Sequence, residues 1–132
     1  MSAENVAIVR CVYENFMAGD IPAVLGVLDP EVMWVEGTQD FLPHHGTHHG
    51  PDQVVAGVFM PTMASFDEIA FVTDRFHDAG DVVVVEGRVT GLTKAGGKLD
   101  APAAWVWTVR EGRIISTVNY HDSDAWRLAL LG

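Results

Sequence analysis

Basic residues are scarce. Eight Lys and Arg stand against 18 Asp and Glu in 132 residues, for a formal net charge of −10. That balance argues against nucleic acid or an anionic membrane surface as a partner, and favours neutral or cationic small ligands. Cysteine is nearly absent. Cys11 is alone, so no internal disulfide can form, and its place in an apolar helical stretch suggests the core. No apolar run reaches membrane-spanning length and the opening residues show no signal-peptide pattern, so a cytoplasmic protein is expected. The dinucleotide GxGxxG, Walker A, CxxC and HExxH patterns are all missing, which leaves those nucleotide and zinc readings without support.

What is present describes one globular domain over residues 1–132. Apolar content of 48% and charged content of 20% are those of a chain that buries a substantial core. Ser2 caps an expected helix over 3–17, with Val6, Val9, Tyr13, Phe16 and Met17 at three-four spacing. Asp20 caps a short second helix that Asp29-Pro30 ends, and a strand follows. Residues 37–50 read as a loop, and Pro51 opens a third helix that ends before Pro61. Strands are expected over 69–76, 82–93, 99–110 and 113–121, with a tight hairpin at Glu111-Gly112, and Asp122 or Ser123 caps a closing helix. Helices grouped ahead of a meander predict an α+β domain, and Gly87 and Gly91 allow its long strands to bend into an open cone.

The strand Val32-Met33-Trp34-Val35-Glu36-Gly37 is the centre of that plan. Alternation puts Trp34 and Glu36 on one face, so a large aromatic stands beside a carboxylate. If that face is concave, Glu36 becomes a candidate general base; otherwise it is an ordinary solvated glutamate.

The run Val12-Tyr13-Glu14-Asn15-Phe16-Met17-Ala18-Gly19-Asp20, followed by Leu28-Asp29-Pro30-Glu31-Val32-Met33-Trp34, resembles the opening of SnoaL-like proteins. These belong to the ketosteroid isomerase and nuclear transport factor 2 superfamily. Gly46-Thr47-His48-His49-Gly50-Pro51, the hairpin around Glu111-Gly112 and Asn119-Tyr120-His121-Asp122 extend the likeness over essentially the whole chain. The resemblance implies a cone-shaped, curved mixed or antiparallel sheet wrapped around N-terminal helices, with a deep apolar pocket. It also implies a small apolar ligand, no cofactor and no metal, and a homodimer. Its members span isomerases, cyclases, epoxide hydrolases, dehydratases and proteins without known activity, so the fold alone leaves the chemistry open.

Counted from Ala18-Gly19-Asp20, Glu36 matches the catalytic aspartate base of ketosteroid isomerase. Val12 stands at the isomerase's oxyanion tyrosine, with Tyr13 one place on, and Trp105 stands at its second oxyanion donor. Steroid isomerisation by that route is therefore not expected. The same register turns Trp105, Trp107, Asn119 and His121 inward.

The expected site is Glu36 as base, His121 as partner acid and Asn119 as orienting group, with Tyr13, Phe16, Trp34, Phe59, Trp105 and Trp107 holding substrate. Together they suit proton transfer beside a carbonyl, as in a polyketide cyclase or isomerase. Asp122 is a second acid/base candidate, matching the region where SnoaL-type cyclases carry an aspartate, and is equally a helix cap. The rivals are an epoxide hydrolase or dehydratase, which would need an inward arginine such as Arg88, and a non-catalytic binding module. His44, His45, His48 and His49 invite a metal reading, but no carboxylate or cysteine stands among them at ligand spacing.

Overall fold

The structure, a computed structural model, describes residues 2–132. Helix α1 (Ala3–Met17) opens on the expected cap, the Ser2 hydroxyl accepting the Asn5 amide at 3.1 Å. Val9, Val12 and Tyr13 form its buried face. Cys11 is exposed, which corrects its expected place in the core. At about 100° per residue it lies on the side opposite that stripe, whereas Met17 lies at the stripe's margin and is 46% exposed. Helix α2 (Ile21–Leu25) is capped by Asp20, whose carboxylate accepts the Ala23 amide.

Strand β1 (Leu28–Val35) starts earlier than expected and includes Pro30, which is tolerated because pairing with β6 slips between Leu28 and Met33. The segment 37–50 is not all loop. It folds back so that β2 (Thr47–His49) pairs antiparallel with β1. The third helix does not stop at Pro61. Helix α3 (Gly50–Val54) passes through one π turn (Val55–Phe59) into α4 (Met60–Ser65). A proline ring clashes with the carbonyl four residues back. Here the Met60 amide reaches five residues back, to Val55, so the helix is already widened where Pro61 enters.

Strands β3 (Phe66–Ala79), β4 (Val82–Thr93), β5 (Lys98–Arg110) and β6 (Arg113–His121) form the expected antiparallel meander. The six strands lie in the order β2-β1-β6-β5-β4-β3, with β1 and β6 parallel. They make a curled, unclosed sheet. Gly87 is one reason it bends: β3 bulges opposite it, and a Cβ there would meet the Val72 carbonyl oxygen at 1.9 Å. Helix α5 (Ser123–Leu131) returns across β5, seating Trp126 and Ala129 in the core.

Candidate functional site

The β1 face faces inward. Val32, Trp34 and Glu36 are buried while Met33 is 38% exposed. Parallel pairing brings Trp34 beside Thr117, and the β5–β6 ladder pairs Trp107 with Thr117 and Trp105 with Asn119. One cavity results. Tyr13, Phe16, Trp34, Phe59, Trp105, Trp107, Asn119, Glu36 and His121 all line it, and its volume is about 60 Å³. That is well below the ~300 Å³ of the smallest sites that enclose a drug-sized ligand. A fused-ring ligand therefore requires the aromatic wall to move. Phe16 packs edge to face on Phe71 and at a tilt on Phe59, and these three rings line the cavity.

Glu36 sits at the polar end, 7% exposed. Its Oε2 accepts the Trp34 indole N–H and the Asn119 amide N–H, each at 2.6 Å. The Thr117 hydroxyl donates to Asn119 Oδ1 at 3.2 Å, which turns the Asn119 amide nitrogen toward the carboxylate. Oε1 is left facing two imidazoles, with His121 Nε2 at 3.3 Å and His44 Nε2 at 3.7 Å. The two Nε2 atoms are 3.2 Å apart, within hydrogen-bond distance. Burial pushes His44 down to about 4, against the upward pull of Glu36, so it is neutral at pH 7. At the opposite end Tyr13 Oη accepts the Trp107 indole N–H at 2.8 Å, and burial holds the Tyr13 pKa well above its ordinary value.

Asp122 is not at this site. It is exposed, and its carboxylate accepts the Ala125 amide as the cap of α5, because the last strand turns it away from His121. Arg88 is also elsewhere, paired with Asp100 at the surface, so the inward arginine of an epoxide hydrolase is missing from the residues lining the cavity.

Sequence reasoning did not place several residues that line the cavity, His44, Trp126 and Phe71 among them. His44 is 4% exposed and packs its ring 5.0 Å from that of Trp126. The signal for His44 was Phe41-Leu42, an apolar pair in an otherwise polar loop; Leu42 is fully buried and pulls the loop inward. The neighbouring histidines are occupied differently. His45 and His48 bond loop carbonyls and His49 pairs with Glu31 at the surface. The Trp126 indole N–H is buried without a protein acceptor among the described residues.

No helix among the described residues is long and apolar enough to cross a membrane. Comparison with curated proteins finds no match. Among solved structures, a protein of unknown function with the nuclear transport factor 2-like fold, from Burkholderia pseudomallei, is 28% identical. The match covers 100% of both chains with a TM-score of 0.88. TerC, co-crystallised with polyporic acid, shares the fold at 21% identity and a TM-score of 0.90, covering 98% of this chain and 100% of that one. A protein from Jannaschia sp. CCS1, provisionally named a SnoaL-like polyketide cyclase, does so at 20% identity and a TM-score of 0.81, over 98% and 95% of the two chains. The model of the SnoaL-like domain matches residues 9–117, and this chain belongs to that family, within the nuclear transport factor 2-like superfamily.

Proposed function

We propose that this protein is an acid/base enzyme that moves a proton beside the carbonyl of a small apolar molecule, as a cyclase or isomerase does. One observation carries the reading. A buried carboxylate has one oxygen clamped by Trp34 and Asn119 and the other left toward two imidazoles, at the end of an aromatic cavity. Glu36 Oε1 takes the proton from the carbon next to the carbonyl, and the electron pair of that C–H bond moves into the carbonyl to make an enolate. His121 protonates the enolate, at oxygen or at a second carbon, and the proton on Glu36 Oε1 then passes to His121 Nε2, 3.3 Å away, which restores both groups. Asn119 orients the base, and Tyr13, Phe16, Phe59, Trp105 and Trp107 hold the apolar body of the substrate.

The oxyanion donors of ketosteroid isomerase have no counterpart at Val12 or Trp105, but two other groups stand near. Neutral His44 and the Trp126 indole N–H both line the cavity and suit a developing negative oxygen. A second copy packed through the sheet belongs to this reading, as does the absence of any need for a cofactor.

Proton abstraction is detectable without knowing the product. The protein is incubated in D₂O with cyclic ketones from cyclohexanone to 2-tetralone, and deuterium at the carbon beside the carbonyl is followed by NMR. Exchange that disappears in Glu36→Gln supports the proposal. Exchange equal in wild type and Glu36→Gln, or ligand binding with no exchange, sinks it; the latter points to the binding-module alternative, which the missing isomerase donors favour.

A further inference from the structure

We propose that Glu36 Oε1, His44 Nε2 and His121 Nε2 form a binding site for one divalent transition metal of the zinc, cobalt and nickel class. We propose also that a bound ion shuts off the proton transfer. The second half rests on the acid/base reading above; the first does not.

The three donor atoms come from separate places: the residue just past β1, the loop that folds back to β2, and the last residue of β6. Their separations are 3.2, 3.3 and 3.7 Å. Metal–ligand bonds of about 2.0–2.1 Å at tetrahedral angles put donor atoms about 3.3 Å apart, so the trio already spans one face of such a site. At most one hydrogen lies between the two Nε2 atoms. One small cation engages all three atoms together.

Two further features fit. Trp34 and Asn119 grip Oε2 from behind, which orients Oε1 as a single-atom ligand, the arrangement that supports carboxylate ligands elsewhere. The ligands also line the cavity, whose volume of about 60 Å³ leaves room for a water or ligand oxygen at a fourth position. Two imidazoles and one carboxylate select borderline transition ions over magnesium or calcium. No carboxylate stands among His44, His45, His48 and His49, and the fold supplies Glu36 from just past β1. Each ring binds as a neutral imidazole with its hydrogen on Nδ1, so both Nε2 lone pairs face the ion, and the ion occupies the lone pair that Glu36 needs as a base.

The test uses tag-free, EDTA-treated full-length protein titrated with Co²⁺ in the absence of substrate. The expected result is saturable uptake of one ion per chain with visible ligand-field bands. His44→Gln and His121→Gln should each weaken uptake by about tenfold or more, and His49→Gln, a surface histidine, should leave it unchanged. The metal site is overturned by no saturable uptake up to about 1 mM, or by uptake unchanged in both His44→Gln and His121→Gln. The wild-type titration decides even if one variant fails to fold. Zn²⁺ added to the deuterium-exchange assay should stop exchange over the range in which it binds. Uptake with undiminished exchange overturns the inhibitory half alone. Exchange by EDTA-treated protein that depends on Glu36 leaves the acid/base reading standing whatever the metal does.

Discussion

Two glutamate–histidine pairs are built from the same groups in opposite surroundings. His77 and Glu86 meet at the surface on β3 and β4, with 50% and 52% of their side chains in water. His121 and Glu36 meet inside the cone, with 8% and 5% exposed. At the surface the neighbouring histidine draws the Glu86 pKa below its ordinary value, and water screens the pair. Inside, burial dominates: His44 stays neutral although it lies beside the same carboxylate as His121. The two pairs share their chemistry and differ in their access to water.

Substitutions on each side separate the buried pair from the exposed one. Glu36→Gln should lower the exchange rate on a responsive ketone by about 10²–10⁴-fold, the range of a lost general base. Glu86→Gln should leave that rate unchanged; equal losses in both would abolish the distinction. Chemical denaturation of EDTA-treated protein tests the buried side by pH. The folded His44 pKa of about 4 lies below the ordinary 6.5, so between those values the unfolded chain takes up a proton that the folded chain refuses. Stability should therefore be fully present above pH 6.5 and fall as pH drops to 4, by at most about 3 kcal/mol. His44→Gln should remove that component from the pH curve. Tyr13→Phe takes away the acceptor of the buried Trp107 N–H and should cost about 1–3 kcal/mol in denaturant midpoints. Smallest of all, Glu86→Gln should leave the thermal midpoint where it is.

Local signals made much of the fold legible. Caps at Ser2, Asp20 and Asp122, the period of α1 and the turn at Glu111-Gly112 are decided within a few residues, and the bounds of β4 and β6 follow from them. Glu111 and Gly112 both take positive φ, as a two-residue hairpin of that twist requires. Strand β2 and the passage through Pro61 were not legible, because each depends on what packs against it. At the site, the inward faces of β1, β5 and β6 came from the resemblance to ketosteroid isomerase, which set the register of Glu36 and of the hairpin; alternation alone left them open. The place of His44 came from neither: it depends on how Leu42 seats the loop, which alternation does not describe. Trp126 reached the site only through the docking angle of α5.

The parallel pairing of β1 with β6 also orders events in time. Asn119 and Glu36 are separated by 83 positions along the chain. A contact that distant costs loop-closure entropy before it is made, which slows folding. During synthesis Glu36 and Trp34 emerge early and wait, with neither Asn119 nor His121 to meet them. A nascent chain, or one cut short before β6, therefore holds the base without the groups that aim it. The buried Glu36–Asn119–His121 cluster is completed only with the last strand.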